Sequence, residues 1–271
     1  MPDGIGRRHA RSQGIQRNNC MEYQIMKSWL ETIFWGPSDN NQFVQGIQSA
    51  INTLSHTSVF FSDNLFTFGR NLSFLDMPKF MEAIEKDCPT PTERSVIWRI
   101  YVLLWAAENG LRREGDFVEC GCGRGANDRV IVDCLDFGRQ TKQLYLYDMF
   151  DHGEDTAHVK QSFHGPQLFE QVTQRFADLS NVHVIQGRVP DILEKRSPEK
   201  IAYLHIDLND ADAEIGALEL LFDRVVPGAM IILDDYGWHA YRAQKLVEDT
   251  WLAARGYRVL ELPTGQGMVL K

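Results

Sequence analysis

Short apolar runs alternate with amphipathic segments through the second half of the chain. The runs have the length of buried strands and span 117–121, 144–148, 182–187, 202–207 and 230–235. Between and after them, apolar residues recur at helical spacing over 126–137, 167–178, 212–223 and 240–255. Continuous apolar strands separated by helices are typical of a parallel sheet that is covered on both faces. We therefore predict an α/β fold for this part of the chain.

Two further apolar runs follow, at 258–262 and 267–271, with only Pro263 to Gln266 between them. Because a parallel crossover needs roughly a dozen residues or more, these two runs must form an antiparallel hairpin. The pattern predicts a Rossmann-like sheet of seven strands, with five parallel units and a C-terminal antiparallel hairpin. A standard dinucleotide-binding domain instead stays parallel to its sixth strand and is normally followed by a substrate domain.

The pattern changes towards the N-terminus. Residues 1–20 are polar and basic without periodicity, which indicates a disordered tail. Residues 21–89 are predicted to form a helical cap or lid, packed on a catalytic domain that spans 90–271. The sequence TPTE at 90–93 marks the junction, because it combines an N-cap threonine, a proline at the first helical position and the glutamate of a capping box.

Within the cap, apolar residues recur at four-residue spacing from Met21 to Ile33, which predicts a first helix. Further helices are predicted around 42–54 and over 77–86. The aromatic stretch 60–75 is predicted to be irregular, with short extended pieces. The apolar surface of this cap is also a candidate contact for a homodimer or a higher homo-oligomer.

The first predicted strand of the catalytic domain runs into a glycine-rich turn, GDFVECGCGRGAND at 115–128. Glycine permits a tight backbone and the close approach of a ligand, and the free N–H groups of the following helix face that ligand. The spacing E-x-G-x-G-x-G resembles the first motif of class I S-adenosylmethionine-dependent methyltransferases. Gly121, Gly123 and Ala126 also satisfy G-x-G-x-x-A, the fingerprint of NAD(P) enzymes. The turn therefore predicts a nucleotide-like cofactor without deciding between the two.

Acidic residues stand at the carboxyl ends of the predicted strands, where ligands bind in an open α/β sheet. Asp148 ends the second strand, and its carboxylate can accept both hydroxyls of a ribose. In a methyltransferase, Glu119 would lie near the methionine end of the cofactor, with Gln186 and Gly187 at the adenine edge. The predicted cofactor-binding residues are Glu119, Cys120, Gly121, Gly123, Gly125, Asp148, Met149, Gln186 and Gly187.

Three aspartates form a second group of candidates. Asp207 follows the fourth predicted strand, and Asp234 and Asp235 end the fifth. Adjacent strands lie about 5 Å apart, so side chains at their ends can converge. Three carboxylates repel one another unless a cation neutralises them, and ligation by oxygen alone suits Mg²⁺ better than zinc. The sequence therefore predicts a magnesium site.

The run YLHIDLND at 203–210, followed by VVPGAMIILDDYGW at 225–238, resembles the metal-dependent O-methyltransferases of the macrocin (TylF/MycF) and novobiocin-sugar type. Members of that family methylate hydroxyls of sugars in antibiotic biosynthesis. The resemblance covers roughly residues 90–271. It implies S-adenosylmethionine as the cofactor, with Mg²⁺ held by Asp207, Asp234 and Asp235.

The chain departs from that family at one position. The family usually has D-x-D after the fourth strand, and its second aspartate is assigned as the base that deprotonates the acceptor hydroxyl. Here Asn209 stands at that position, and an amide cannot act as a base. Asp210 or His239 would substitute for it, and we prefer His239 because an imidazole titrates near neutrality. Alternatively, Mg²⁺ lowers the hydroxyl's pKa enough, or the acceptor is not a sugar hydroxyl. His205 lies inside an apolar strand and is predicted to be a core histidine.

The composition of the chain argues against two classes of partner, nucleic acids and membranes. Lys and Arg number 28 against 37 Asp and Glu, giving a net charge of −9, so nucleic acid is not an expected partner. No apolar run approaches the roughly 20 residues that cross a bilayer, and the first residues lack the apolar core of a signal peptide. We therefore expect a cytoplasmic protein without a membrane contact.

Taken together, these features predict an S-adenosylmethionine-dependent and Mg²⁺-dependent O-methyltransferase. Its acceptor would be a hydroxyl of a small molecule, either a sugar or a natural-product intermediate. An NAD(P)-dependent oxidoreductase is a first alternative, favoured by G-x-G-x-x-A and opposed by the C-terminal hairpin. A catalytically inactive scaffold of a biosynthetic pathway is a second, favoured by Asn209 and opposed by the intact glycines and aspartates.

Overall fold

The structure is a computed structural model that describes residues 27–54 and 57–271. The predicted tail, 1–20, and the predicted helix start at Met21 lie outside these ranges. None of the helices within them has the length and apolar character that a membrane span requires.

The N-terminal part contains a small three-stranded sheet, formed by β1 (Trp29–Leu30), β2 (Val59–Ser62) and β3 (Leu65–Phe68). Strand β1 is parallel to β2, with Trp29 opposite Phe60, and β2 is antiparallel to β3. The helix predicted from Met21 to Ile33 is therefore wrong in its described part. The partner that makes this segment a strand lies about thirty residues further along the chain, so local periodicity gives no sign of it.

The aromatic stretch 60–75 is more regular than predicted. Asp63 and Asn64 connect β2 to β3, and both have positive φ, at 50° and 57°. Two central residues with positive φ match the twist of a tight β-hairpin. A short 3₁₀ helix, Ser73–Asp76, follows the hairpin. The cap thus contains a sheet beside its helices.

The helices of this part agree with the predicted positions to within a few residues. They are α1 (Asn40–Ile51) and α2 (Pro78–Asp87), followed by α3 (Pro91–Ser95) and α4 (Ile97–Gly110). The predicted capping box is present at the start of α3, where the Thr90 hydroxyl accepts from the Glu93 N–H and Glu93 accepts from the Thr90 N–H. The helix that begins there ends at Ser95, and α4 follows as a separate helix because Val96 leaves helical geometry.

The large sheet has the predicted seven strands. They are β4 (Asp116–Cys120), β5 (Leu144–Asp148), β6 (Val182–Gln186), β7 (Ile201–Ile206), β8 (Val225–Leu233), β9 (Leu260–Glu261) and β10 (Gly267–Leu270). Their order is β6-β5-β4-β7-β8-β10-β9. The first five are parallel to one another, whereas β10 runs antiparallel to both β8 and β9, which confirms the predicted hairpin.

Helices cover both faces of this sheet. Those that follow β4 are α5 (Ala126–Cys134), α6 (Leu168–Arg175), α7 (Asp191–Lys195), α8 (Ala211–Leu221) and α9 (Arg242–Ala253). The sequence predicted all of these except the short α7. One apolar core packs α2, α4, α5 and α6 on one face, and a second packs α7, α8 and α9 on the other. The candidate site lies at the carboxyl ends of the parallel strands.

Candidate active site

A cavity of about 830 Å³ opens at the carboxyl ends of the parallel strands. Six of the predicted cofactor residues line it, namely Glu119, Gly121, Gly123, Asp148, Met149 and Gly187. The other three are not among its lining residues. Cys120 is fully buried at the end of β4, Gly125 is the N-cap of α5, and the exposed Gln186 donates its amide to the Met149 carbonyl at 3.1 Å.

The glycine turn after β4 needs glycine for a specific reason. Gly121 has φ +96°, and a Cβ there would overlap the carbonyl oxygen of Asp207 at the end of β7. Gly123 also has a positive φ, +50°. A side chain would therefore be strained and would push β4 and β7 apart at the edge where the cavity begins.

Asp148 fixes the turn to the loop that follows β5. Its Oδ2 accepts the Gly123 N–H at 2.8 Å, and its Oδ1 accepts the Phe150 N–H at 2.6 Å. A carboxylate oxygen has more than one acceptor site, so each oxygen can also accept a ligand hydroxyl. This arrangement suits the predicted contact with a ribose.

The loop 150–165 contributes one wall of the cavity and includes a short 3₁₀ helix, Glu154–Val159. His158 of this helix reaches Asp210 at the start of α8, with 2.9 Å between Nε2 and Oδ2. Burial of Asp210 opposes its charge, but the contact with His158 and the hydrogen bond from the Ala213 N–H lower its pKa. The loop therefore joins the β5 side of the cavity to the α8 side. His158 is not among the predicted site residues, and its only signal in the sequence is the loop's high content of Asp, Gly and His.

The three predicted metal ligands converge. Carboxylate oxygens of Asp207, Asp234 and Asp235 lie within 4.8 Å of one another. Of the three, Asp207 is the one that lines the cavity. We call this group the aspartate cluster.

Crowding of negative charge changes the pKa values in the cluster. Burial and the charges of Asp234 and Asp235 raise the pKa of Asp207 well above its usual range. Burial and Asp234 raise the pKa of Asp235 to about 6. Burial also opposes the charge on Asp234, but Arg99 and His205 lower its pKa. The cluster therefore stabilises nearby positive charge.

The protein itself supplies a cation to the cluster. Arg99, on α4, donates through Nη1 to Asp234 Oδ2 at 2.7 Å and to Asp235 Oδ1 at 3.0 Å. Its Nε and Nη2 donate to the two oxygens of Asp63, at 2.7 and 3.0 Å. Arg99 therefore links the hairpin of the N-terminal sheet to the end of β8.

Arg99 and Asp63 are not among the predicted site residues, although each leaves a signal in the sequence. Arg99 is the one charged residue within the otherwise apolar segment VIWRIYVLLWAA, 96–107, and a buried charge needs a partner. Asp63 and Asn64 separate two aromatic runs, a composition that favours a turn. Neither signal shows that the two side chains meet.

His205 is fully buried, as predicted for a core histidine, but it lies between two acidic groups. Its Nδ1 is 3.0 Å from Glu119 Oε2, and its Nε2 is 3.5 Å from Asp234 Oδ1. Burial disfavours the imidazolium, but Glu119 and Asp234 outweigh this and raise the pKa of His205 well above its usual value. The imidazolium thus connects the glycine turn to the aspartate cluster.

The candidate bases occupy different places. Asn209 lines the cavity with φ 58°, and its amide nitrogen donates weakly to Asp207 at 3.4 Å. Asp210 also lines the cavity. His239 begins a short 3₁₀ helix after β8 and is not among the residues that line the cavity.

The donor chemistry of the aspartate cluster fits Mg²⁺. Its three side chains offer oxygen ligands alone, and close carboxylates are the usual setting for that ion. Asp207, Asp234 and Asp235 are the residues that would hold it.

Solved structures with the same architecture are methyltransferases. The O-methyltransferase NovP has a TM-score of 0.54 at 20% identity, over 65% of this chain and 80% of NovP. The calicheamicin methyltransferase CalS11 has a TM-score of 0.51 at 14% identity, over 72% of this chain and 92% of CalS11. No curated protein sequence matches the chain. The fold is therefore that of the S-adenosylmethionine-dependent methyltransferases.

A match to a sequence profile shows to which protein family the chain belongs. The profile of the macrocin O-methyltransferases, TylF, matches residues 106–251, which is more than half of the chain. The chain belongs to the TylF macrocin O-methyltransferase family and is an S-adenosylmethionine-dependent methyltransferase. The ambiguity of the glycine turn is thereby resolved in favour of S-adenosylmethionine over NAD(P).

Proposed function

We propose that this enzyme methylates a hydroxyl of a small molecule, a sugar or a natural-product intermediate, with Mg²⁺ bound at the aspartate cluster. The observation that carries the proposal is the position of Asp207. It belongs to the cluster and also lines the cavity that begins at the glycine turn. A cofactor bound along this turn would therefore have its reactive end close to the cluster.

The relatives support a sugar as the acceptor. CalS11 is described as a TDP-rhamnose 3′-O-methyltransferase of calicheamicin biosynthesis, and its apo structure gives a TM-score of 0.50 at 15% identity. The volume of the cavity, about 830 Å³, lies in the upper part of the range of roughly 300–1,000 Å³ that ligand pockets occupy. We propose that the cofactor fills the end near Asp148 and that the acceptor approaches from the end near Asn209.

The residues of the site have distinct tasks in this proposal. Asp148 binds the ribose hydroxyls while its backbone contacts keep the glycine turn in shape. Glu119 lies at the methionine end, where His205 neutralises part of its charge. The chain mainly orients the acceptor oxygen towards the methyl group, because the sulfonium already activates that group.

Asp207, Asp234 and Asp235 would hold the metal. Bound Mg²⁺ supplies a Lewis acid that stabilises an oxygen anion and lowers the pKa of a hydroxyl. The proton of the acceptor must still pass to a base. Asp210 is better placed for this than His239, because Asp210 lines the cavity and His239 does not.

Calorimetric titration of the purified chain with S-adenosylhomocysteine, with and without Mg²⁺, tests the cofactor and shows whether its binding depends on the metal. We expect binding at micromolar concentration in both conditions. NAD⁺ is the matched control and is expected not to bind. A screen of nucleotide sugars, flavonoids and catechols with S-adenosylmethionine, in Mg²⁺ and then in EDTA, tests the acceptor class and the metal requirement.

The outcomes separate the parts of the proposal. Turnover that persists fully in EDTA would contradict the magnesium requirement and leave the methyltransferase intact. Turnover of flavonoid or catechol acceptors but of no sugar would contradict the sugar as acceptor. If the chain bound neither S-adenosylhomocysteine nor NAD⁺, the inactive scaffold would become the better explanation.

A further inference from the structure

Arg99 is held on both sides by carboxylates and is shielded from water. It is 8% exposed, and four of its N–H···O contacts, at 2.7 to 3.0 Å, reach three aspartates. Its guanidinium also lies 4.8 Å from the centre of the Trp238 ring. A guanidinium stays protonated in proteins, so this positive charge is permanent.

Arg99 uses oxygens of the same carboxylates that would bind a metal. Its Nη1 contacts Asp234 Oδ2 and Asp235 Oδ1. The other oxygen of Asp234 accepts the Gln266 amide at 2.9 Å. Both oxygens of Asp234 are therefore engaged before any metal arrives, and two cations that share these oxygens repel each other.

Asp63 competes with the cluster for Arg99. Its two oxygens accept the Nε and Nη2 groups in the two-pronged geometry that gives guanidinium–carboxylate pairs their strength. Asp63 itself is oriented by the tight hairpin turn and by the Trp35 indole N–H at 3.3 Å. The tighter Asp63 holds the guanidinium, the less of its charge is available to Asp234 and Asp235.

We propose that Arg99 is a resident cation of the aspartate cluster, and that Arg99 and Asp63 together set the cluster's affinity for a divalent metal. Arg99 weakens metal binding, and Asp63 strengthens it by drawing Arg99 away. The N-terminal hairpin is thus a determinant of metal affinity. This inference rests on the proposed metal function of the cluster.

The test is a titration of the untagged chain with Mn²⁺, in which the electron paramagnetic resonance signal measures free metal. Arg99→Met removes the charge and retains an apolar side chain of similar reach, and we expect Mn²⁺ to bind roughly tenfold more tightly or better. In Asp63→Asn, Arg99 loses the negative charge of Asp63 and pairs only with the carboxylates of the aspartate cluster. We expect Mn²⁺ binding to weaken by roughly threefold or more. The two variants therefore change the affinity in opposite directions.

Arg94→Met is the matched control. Arg94 also pairs with an acidic residue of the N-terminal part, Glu31, at 2.9 Å, but it does not contact the cluster. Its Mn²⁺ affinity should equal that of the wild type. Binding of S-adenosylhomocysteine by each variant verifies that the variant is folded. If Arg99→Met does not fold, the Mn²⁺ affinities of Asp63→Asn and Arg99→Lys test the inference instead. The lysine keeps the charge but cannot bridge both sides with a planar fork, so its affinity should differ from that of the wild type.

The Mn²⁺ affinities of the wild type and the variants either support the inference or overturn it. Tighter binding by Arg99→Met together with weaker binding by Asp63→Asn supports it, and so does Mn²⁺ binding that is measurable in Arg99→Met but not in the wild type. Equal affinity in the wild type and both variants overturns the inference and leaves the metal site standing. Weaker binding by Arg99→Met also overturns it, since Arg99 would then be organising the site. Absence of Mn²⁺ binding in every variant overturns both the inference and the proposed metal function.

Discussion

Asp210 makes two separate contacts at the start of α8. Its Oδ1 accepts the Ala213 N–H at 2.9 Å, which caps the helix, and its Oδ2 lies 2.9 Å from His158 Nε2. It follows directly after Asn209, whose amide has no basicity. A carboxylate that caps a helix with one oxygen can still take a proton on the other, so this residue is suited to replace the missing base.

Replacement of Asp210 by asparagine separates these two functions. The amide oxygen still caps α8, because Asn and Asp are comparable N-caps, but it cannot accept a proton. We expect kcat to fall about 10²- to 10⁴-fold, the usual contribution of a general base, with S-adenosylhomocysteine affinity retained. Steady-state kinetics on an acceptor from the nucleotide-sugar screen, with calorimetry for the cofactor, measure both.

His239→Gln is the comparison for this experiment. Since His239 is not among the residues that line the cavity, its replacement should leave kcat roughly unchanged. A large loss in His239→Gln combined with a normal Asp210→Asn enzyme would assign the base to His239 instead.

At the scale of elements, helices α8 and α9 are joined by a pair of buried glutamates. Glu214 and Glu248 have no exposed surface, and Glu214 accepts hydrogen bonds from the Gln244 amide and the Leu208 N–H. Burial raises the pKa of both carboxyls, and the contact with Glu248 raises that of Glu214 further. Glu214 is also connected to the site, because it accepts the N–H of Leu208, and Leu208 directly follows Asp207.

The raised pKa values predict a stability that depends on pH. Each carboxyl contributes its stabilisation in full below its usual pKa of 4.5 and loses it as the pH rises through the higher folded-state pKa. We therefore expect the Tm to decline as the pH rises above 4.5, and Glu248→Gln to flatten this decline. Differential scanning fluorimetry across that range measures it.

Glu219→Gln is the control for this experiment, since Glu219 lies on the same helix but is exposed. It should keep the pH dependence of the wild type. An equally steep decline in Glu248→Gln would show that the pair is not its source.

At the scale of the whole molecule, the cavity combines segments that are far apart in the chain. The start of α3, the glycine turn, the loop 150–165 and the start of α8 all line it. A ligand in the cavity contacts parts of both the N-terminal half and the C-terminal half, so binding should stabilise the fold as a unit.

Saturation with S-adenosylhomocysteine should therefore raise the Tm. A ligand at a hundredfold excess over its Kd stabilises by about 2.7 kcal/mol, and for a chain of this size each kcal/mol corresponds to about 2–4 °C. We expect a shift of roughly 5–10 °C in the wild type and a much smaller one in Asp148→Asn. Asp151→Asn, three residues further along at an exposed position, should show the full shift. Similar shifts in both variants would argue against Asp148 as a cofactor contact.

Local patterns were sufficient to predict most of the large sheet. The strands Leu144–Asp148 and Val182–Gln186 begin at the predicted residues, because a short run rich in apolar residues starts at each of those positions. The hairpin Leu260–Glu261 and Gly267–Leu270 was predictable from the short connection alone. The small N-terminal sheet was not, because β1 is a strand only through its pairing with β2.

The sequence by itself determined the fold class, the glycine turn, Asp148 and the three aspartates, because each depends on spacing along the chain and on the rule that strand ends meet at one edge. The tertiary structure alone decided the charge balance around those aspartates. Arg99 and Asp63 are 36 residues apart, and Arg99 and Asp234 are 135 apart. A contact of this kind depends on how a helix and a hairpin pack against the sheet, and this packing leaves no periodic trace in the order of residues.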